Sequence, residues 1–263
     1  MDGAKKASPG RHDILLASLL TSTTSTVTAV TSEGRALHVL AAELVDASGR
    51  TRGGSATQLF GTNKGEIIQT ILTNSKEHLV LVTESGVIKR LTTEEIQKTQ
   101  NAKQIIKLKP GDRVASAFCA PDKIDVGITA SDGQFLRMPI SSVSIQGRGA
   151  AGVAGMKLKN GSIIVAAEAI LGDDFVTTVF SNQPAKVTPV AEFESSGVGP
   201  LMLERRLCVI WEASNLPTGR AGRPDVHIAP LSLVVGAWRS DNSGTSRKIR
   251  YVIHVRSACK LLW

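Results

Sequence analysis

The sequence contains an internal repeat of about 50 residues, which limits the possible folds more than any other feature. Each copy has an apolar strand, a polar turn that usually ends in glycine, and a second strand with a basic residue. The turn positions are Gly34, Gly86, Gly133 and Gln183, at spacings of 52, 47 and 50 residues. A period of this size indicates an array in which no repeat buries its apolar face alone. We expect the turn glycines to have left-handed backbone, which three-residue hairpin turns require.

A second turn recurs in step with the first. Its glycines are Gly65, Gly111 and Gly161, 46 and 50 residues apart, and an apolar strand follows each of them. Each repeat therefore has room for about four short strands, the size of one blade in a radial β architecture. The sequence predicts an all-β fold with about four recognisable blades over residues 14–194. Residues 92–99, which begin with a capping threonine, predict a single helical turn between blades.

The composition supports this fold class and excludes others. Aromatic residues make up 4% of the chain and 24 residues are glycine, which together with frequent Val, Ile and Thr favours short strands over helical bundles. Every apolar run is far shorter than the roughly 18 residues that a membrane helix needs, so we expect a cytoplasmic protein. Cys119, Cys208 and Cys259 lack metal-ligand spacing and a disulfide pattern, and we expect them to be buried free thiols.

Charge and aromatic residues divide the chain near residue 200. Residues 1–200 carry 21 Lys+Arg against 19 Asp+Glu, a balance of +2, whereas residues 201–263 carry 10 against 4, a balance of +6. All six Phe precede this point, and all three Trp and the single Tyr follow it. We therefore divide the chain into an N-terminal extension (1–13), the repeats (14–194) and a divergent tail (195–263).

No catalytic constellation is visible in the sequence. Gly147–Gly152 reads GRGAAG, and Glu168 follows at the distance of a ribose-binding acid in a dinucleotide fold. The next residues alternate apolar and polar as in a strand, whereas that fingerprint needs a helix. The acidic pairs at 94–95 and 173–174 lie in polar turns, where a solvated role is favoured over acid–base work. We expect no cofactor, no metal and no catalytic residue.

Basic residues recur just after the hairpin turns. They are Arg35, Lys89 with Arg90, Arg137 and Lys186. Equivalent positions of a radial stack lie on one rim, so these cations would form a curved stripe that contacts the phosphates of a bent duplex. Gly-rich connections add Arg50, Arg52 and Arg148, and Lys157 in the following strand completes the candidate DNA-binding residues. Alternatively, these cations only protect edge strands from aggregation.

Three segments resemble the repeats of a known family. They are Leu79–Leu91 (LVLVTESGVIKRL), Gly133–Ile140 (GQFLRMPI) and Gln146–Leu158 (QGRGAAGVAGMKL). They are similar to blades in the C-terminal domain of bacterial type IIA topoisomerase A subunits, those of DNA gyrase and of topoisomerase IV. The resemblance covers about residues 14–193. It implies a β-pinwheel, a propeller-like disc whose basic perimeter binds and bends DNA.

The resemblance also implies partners and a location. The partners would be double-stranded DNA, the topoisomerase A-subunit core and the ATPase B subunit, in the nucleoid-associated cytoplasm and without a membrane. The breakage–reunion module with its catalytic tyrosine has no counterpart here, and Tyr251 lies outside the matched region. We therefore expect a part of an ATP-dependent type II topoisomerase that is non-catalytic alone. The alternative function is a propeller-like scaffold for protein interactions without DNA binding.

The sequence departs from the family in two places. The gyrase-specific box Gln-Arg-Arg-Gly-Gly-Lys-Gly would fall on Arg50–Ala56, where only Arg52, Gly53 and Gly54 match and Ser55 replaces the lysine. This favours a topoisomerase IV-like domain or a weakly wrapping gyrase domain. The resemblance also ends near residue 193, within the fourth repeat. We interpret residues 195–263 as a divergent or frameshifted tail that packs weakly and has no evolved role in DNA binding.

Overall fold

Eighteen strands, two short α-helices and three 3₁₀ helices form the regular structure of the described residues. The computed structural model describes residues 13–44, 54–73, 77–159, 161–170, 174–180, 183–195, 208–210, 233–240 and 250–258. The strands are β1 (Asp13–Ser22), β2 (Thr26–Thr31), β3 (Arg35–Leu40), β4 (Gly54–Ser55), β5 (Ile68–Leu72), β6 (His78–Thr83), β7 (Val87–Thr92), β8 (Lys103–Gln104), β9 (Val114–Ala120), β10 (Asp125–Ala130), β11 (Phe135–Pro139), β12 (Val153–Ala154), β13 (Ile164–Ile170), β14 (Phe175–Phe180), β15 (Gln183–Pro189), β16 (Cys208–Ile210), β17 (Leu233–Ser240) and β18 (Arg250–Ala258). The helices are α1 (Ala56–Phe60), α2 (Thr93–Gln97) and the 3₁₀ helices Ala41–Glu43, Ile140–Ser142 and Val190–Glu192.

The described strands form five antiparallel sheets, which we call blades. Blade I has the order β5-β2-β3-β8, blade II β9-β6-β7-β12, blade III β13-β10-β11, blade IV β16-β14-β15 and blade V β1-β18-β17-β4. In blades I to III the inner strands β5, β9 and β13 pack against one another from blade to blade. Side chains join these strands, since Gln69 Nε2 donates to Val114 O at 2.9 Å and Ser116 Oγ accepts from Ala167 N at 2.9 Å. The predicted all-β class is confirmed.

The outer strands of blades I and II come from the following repeat. β8 follows β7 and α2 in the chain but pairs with β3, with Lys103 opposite Ala36. β12 follows β11 but pairs with β7, with Val153 opposite Ile88. Each of these two blades is therefore closed on its outside by a strand that belongs, in sequence, to the next one.

The hairpin turns have the backbone that the repeat pattern predicts. Gly34, Gly86 and Gly133 have φ values of 71°, 84° and 85°, in the left-handed region. A Cβ atom at Gly34 would collide with the side chain of Ile106, and one at Gly86 with the carbonyl oxygen of Met156. These two glycines are needed both for the turn and for the close approach of the outer strand.

Two further local predictions are confirmed. The helical turn between blades is α2, and the Oγ1 atom of Thr92 caps it by accepting from Glu95 N at 3.3 Å. The GRGAAG segment is followed by strand β12 rather than by a helix, which removes the dinucleotide-binding interpretation. Within the described residues, no helix is long and apolar enough to span a membrane.

Two of the hydrophobic clusters lie between neighbouring blades. One cluster joins Val30 and Ala36 of blade I to Leu79 and Leu81 of blade II. A second cluster joins blade II to blade III, with Val80 and Ile128 among its buried members. Blades I, II and III thus share these two clusters, as expected for repeats that bury their faces by stacking. A third cluster lies among β2, β3 and β5 of blade I and helix α1.

The tail contributes strands to two blades. β16 pairs with β14, and the hairpin of β17 and β18 pairs with β1 and β4. Trp238 lies in β17, whereas Trp211 lies outside the described residues. The divergent origin and weak packing of residues 195–263 stay predictions.

Candidate nucleic-acid interface

Arg90 is one of the predicted DNA-binding cations, and its side chain is only 7% exposed. Its Nη1 atom donates to the carbonyl oxygens of Ile140 at 3.1 Å and Val143 at 3.3 Å. These carbonyls belong to the 3₁₀ helix Ile140–Ser142 and the residue after it, in the next repeat. The Nη2 atom donates to Asp122 Oδ1 at 2.7 Å. Arg90 therefore connects blade II to the helical connection of blade III.

Arg137 repeats this geometry one blade later. Its Nη1 atom donates at 3.1 Å to each of two carbonyl oxygens, those of Val190 and Phe193. These carbonyls again belong to a 3₁₀ helix and the residue after it, now in the fourth repeat. The Nε atom donates to Asp125 Oδ2 at 2.7 Å. The register of the hairpins makes Arg90 and Arg137 equivalent residues of their blades.

Lys89 is a fully buried cation, with a relative exposure of 0%. Its ammonium donates at 2.8 Å to each of three carbonyl oxygens, those of Ile105, Arg148 and Ala150. Burial lowers the pKa of Lys89 to about 8, and the charge of Glu95 acts in the opposite direction. The three carbonyl dipoles also favour the charged form, so the ammonium is satisfied although it is out of water.

Arg35 is paired with Glu66, whose side chain is completely buried. The Nε atom of Arg35 donates to Glu66 Oε1 at 2.9 Å, and its Nη2 atom donates to Glu66 Oε2. Hydrogen bonding with the Glu66 side chain is the main cause that raises the pKa of Arg35, and burial acts in the opposite direction. Burial alone would raise the pKa of Glu66, but hydrogen bonds from Arg35, Thr31 and the Asn63 backbone hold it below its usual value.

The nine predicted DNA-binding residues thus differ in where the structure places them. Arg35, Lys89, Arg90 and Arg137 are engaged with carboxylates or carbonyls inside the structure. Arg50 and Arg52 lie outside the described residues, and Lys186 lies in β15 opposite Thr178. Arg148 and Lys157 are exposed. Phosphate contact by the engaged cations stays a prediction. The geometry of Lys89, Arg90 and Arg137 supports a role in joining blades, whereas Arg35 pairs with Glu66 just before β5 of its own blade.

The structure places a second set of cations where phosphates could reach them. Lys107 and Lys109 follow β8, and Lys157 and Lys159 follow β12. All four lysines are exposed. In each segment the residue before the first lysine faces inward, since Ile106 and Met156 are 1% and 3% exposed. The alternation places both lysines of each pair on the outer surface.

The two lysine pairs occupy equivalent positions on successive blades. Ile105 N donates to Gly34 O at 2.8 Å, and Gly155 N donates to Gly86 O at 2.9 Å. Each pair therefore begins two residues after the same contact with a hairpin-turn glycine. Direct contact links the two blade edges, because Lys107 N donates to Ala150 O at 3.2 Å. We call Lys107, Lys109, Lys157 and Lys159 the edge lysines.

Sequence reasoning included Lys157 but missed the other three edge lysines. The available signal was the repeated string Lys-Leu-Lys, which precedes Gly111 and Gly161 at the same distance. This string lies apart from the first hairpin turn of each repeat, where most of the predicted cations cluster. Within the described residues, no group of three His, Cys, Asp or Glu side chains could hold a metal ion.

Blades that pack in series and are closed by the edge strand of the following repeat define a β-pinwheel, a class within the propeller-like folds. Known proteins show what this chain is similar to. Residues 77–121 and 128–170 match the family described as DNA gyrase C-terminal domain, beta-propeller. These segments are therefore similar to the C-terminal domain of type IIA topoisomerase A subunits, and the resemblance that the sequence predicted is confirmed.

Curated relatives support this relationship. The DNA gyrase A subunit of Kosmotoga olearia is 30% identical over 173 residues, which cover 62% of this chain and 21% of the relative. The DNA gyrase A subunit of Escherichia coli is 27% identical over 199 residues, which cover 73% of this chain and 23% of the relative. The chain thus spans about a fifth of the length of the relatives it matches.

Solved structures share the fold. The C-terminal domain of DNA topoisomerase IV aligns with a TM-score of 0.70 at 23% identity, over 79% of this chain and 70% of that one. The DNA gyrase A C-terminal domain aligns with a TM-score of 0.54 at 22% identity, over 68% of this chain and 59% of that one.

Proposed function

We propose that this chain binds double-stranded DNA along the outer edges of blades I and II and bends it, as the C-terminal domain of a type II topoisomerase A subunit. The observation that carries this proposal is the pair of exposed lysines that recurs at the same place on successive blades. Lysines that follow one edge can neutralise consecutive phosphates and release the counterions bound there. Contacts with the backbone position a duplex without reading its sequence, so little sequence preference is expected.

The arrangement of the blades also supports a role in bending DNA. Blades that pack in series turn their outer edges along an arc, so a duplex that contacts several edges must curve. Such bending costs on the order of 1–6 kcal/mol over 20–30 base pairs, which further phosphate contacts on adjacent blades offset. In a complete enzyme the domain would act with the A-subunit core and the ATPase B subunit in the bacterial cytoplasm, and support supercoiling or decatenation.

The test is the salt dependence of binding to duplex DNA. Replacing all four edge lysines with Gln should lower the slope of log affinity against log salt by up to about 3.6, at about 0.9 for each lost phosphate contact. Lys157→Gln and Lys123→Gln provide a matched pair of single changes. Lys123 is an equally exposed lysine, but it lies in the turn between β9 and β10, at the opposite end of blade II from Gly86.

The expected result is a lower slope for Lys157→Gln and an unchanged slope for Lys123→Gln. An unchanged slope for the fourfold variant would contradict the proposed edge. No retardation of duplex DNA by the unaltered chain in low salt would favour the alternative function, a scaffold for protein interactions.

A further inference from the structure

The ammonium of Lys89 has a hydrogen-bond acceptor for each of its N–H groups. A lysine ammonium has three N–H donors, and three carbonyl oxygens lie at 2.8 Å from the nitrogen. The side chain has no exposed surface, so these carbonyls replace water completely. Burying a charge in this way costs free energy that an apolar residue would not require.

The equivalent positions of blades I and III show that packing alone needs no charge there. The hairpin register places Leu37 of blade I and Leu136 of blade III at the position of Lys89. Both leucines are buried, at 1% and 0% exposure. Among blades I to III, only blade II therefore has a cation at this position. The contacts of the ammonium must explain why a lysine lies there.

The three acceptors belong to the two segments that lead to the edge lysines. Ile105 directly follows β8 and lies two residues before Lys107. Arg148 and Ala150 flank Gly149 in the connection that leads to β12 and onward to Lys157. The oxygen of Ala150 accepts a second bond, from Lys107 N at 3.2 Å. One buried ammonium thus joins the approach to the first lysine pair to the approach to the second.

We propose that Lys89 is a positioning residue for the DNA-binding edge, which fixes the spacing and direction of the edge lysines on blades I and II relative to each other. Lys89 itself does not touch DNA. This inference rests on the proposed function, because spacing between the lysine pairs matters only if both pairs contact one duplex.

Loss of the ammonium has a specific consequence. In Lys89→Met the apolar stem still fills the space between the blades, but three carbonyls lose their common donor. Two of these carbonyls lie on either side of a glycine, so this backbone can turn towards water. The edge lysines remain present and charged, and their relative placement becomes variable. The number of phosphate contacts is then kept, while the curvature imposed on the duplex decreases.

The experiment separates curvature from contact number. Energy transfer between dyes at the two ends of a short duplex, at saturating protein, reports bending, and the salt slope reports contacts. Lys89→Met should reduce energy transfer and weaken affinity by about 2- to 10-fold, the cost of ordering a loosened segment on binding, with the salt slope changed by much less than the roughly 0.9 expected for loss of one phosphate contact. The control Leu136→Met alters the equivalent buried position of blade III and should change neither quantity.

Three outcomes would overturn the inference. The first is energy transfer in Lys89→Met equal to that of the unaltered chain. The second is a lower salt slope, which would make Lys89 a phosphate contact. The third is loss of folding, seen by thermal unfolding, in both Lys89→Met and Lys89→Gln, which would assign Lys89 to fold stability. Absence of DNA binding by the unaltered chain would instead overturn the proposed function.

Discussion

Arg90 and Arg137 make the same contact one blade apart, each donating Nη1 to two carbonyl oxygens around the 3₁₀ helix of the following repeat. His38 occupies the equivalent position of blade I. Burial lowers the pKa of His38, against the effect of a hydrogen bond with the Thr99 backbone, which lies just beyond α2. The residue four positions after the hairpin-turn glycine is thus part of a repeated connection to the following repeat.

Removing such a connection should destabilise the fold. We expect Arg90→Met to lower the free energy of unfolding by about 1–3 kcal/mol, because the carbonyls of Ile140 and Val143 lose the guanidinium donor and Ile140 O keeps the bond from Val143 N. Urea unfolding measures this, with Lys123→Gln as the surface control. The salt slope of DNA binding should stay unchanged. A slope lower by about 0.9 would support phosphate contact by Arg90 and contradict a purely structural role.

The pairing of Arg35 with Glu66 predicts sensitivity to acid. The pKa of Glu66 lies below its ordinary value of 4.5 in the folded chain, so the unfolded chain takes up the proton first as the pH falls. The pair therefore contributes stability above that value, and this contribution is lost as the pH falls through the lower, folded pKa. Glu66→Gln should remove this part of the acid dependence.

Urea unfolding of both chains between about pH 7 and pH 3 tests this prediction. Glu43→Gln, which changes an exposed glutamate, serves as the control. Parallel loss of stability in the unaltered chain and in Glu66→Gln would show that Glu66 does not contribute.

Restoring the gyrase-type box should increase curvature. Residues 54–55 of this segment form β4, which pairs with β17 at the outside of blade V, in the place that β8 and β12 take in blades I and II. Replacing Arg50–Ala56 with Gln-Arg-Arg-Gly-Gly-Lys-Gly adds a lysine at this edge. Energy transfer between the ends of a bound duplex should increase. The control is the same box with its lysine changed to Gln. Equal bending of DNA by the two variants would show that the charge of the lysine does not cause the added curvature.

The divergent tail predicts uneven protection across the molecule. Residues 195–263 should exchange their amide hydrogens earlier than blades II and III, and proteases should cut first between residues 219 and 224, which lie outside the described residues. Mass spectrometry of peptides after timed exchange measures this. Protection of β17 and β18 equal to that of β6 and β10 would contradict a weakly packed tail.

The sequence predicted those features that depend on local chemistry. Gly34 and Gly86 could be placed because a hairpin turn with left-handed backbone has few other solutions, and α2 because Thr92 and the acids after it form a cap. The environment of Lys89 and Arg90 could not be predicted in this way. Their strand is buried on both faces by segments about 15 to 60 residues further along the chain, as the bonds from Lys89 to Ile105 and Ala150 show. The alternation of apolar and polar residues within a strand does not show which distant segments will bury it.

The exchange of outer strands has a consequence for how such a chain can grow. The repeat in the sequence and the blade in the structure have different boundaries. β8 and β12 each complete the blade formed by the preceding repeat. Deleting one copy therefore removes three strands of one blade together with the outer strand of the blade before it, and the next copy must supply that outer strand. A change in blade number therefore keeps every sheet complete only if the outer strand of each copy still pairs with the blade before it.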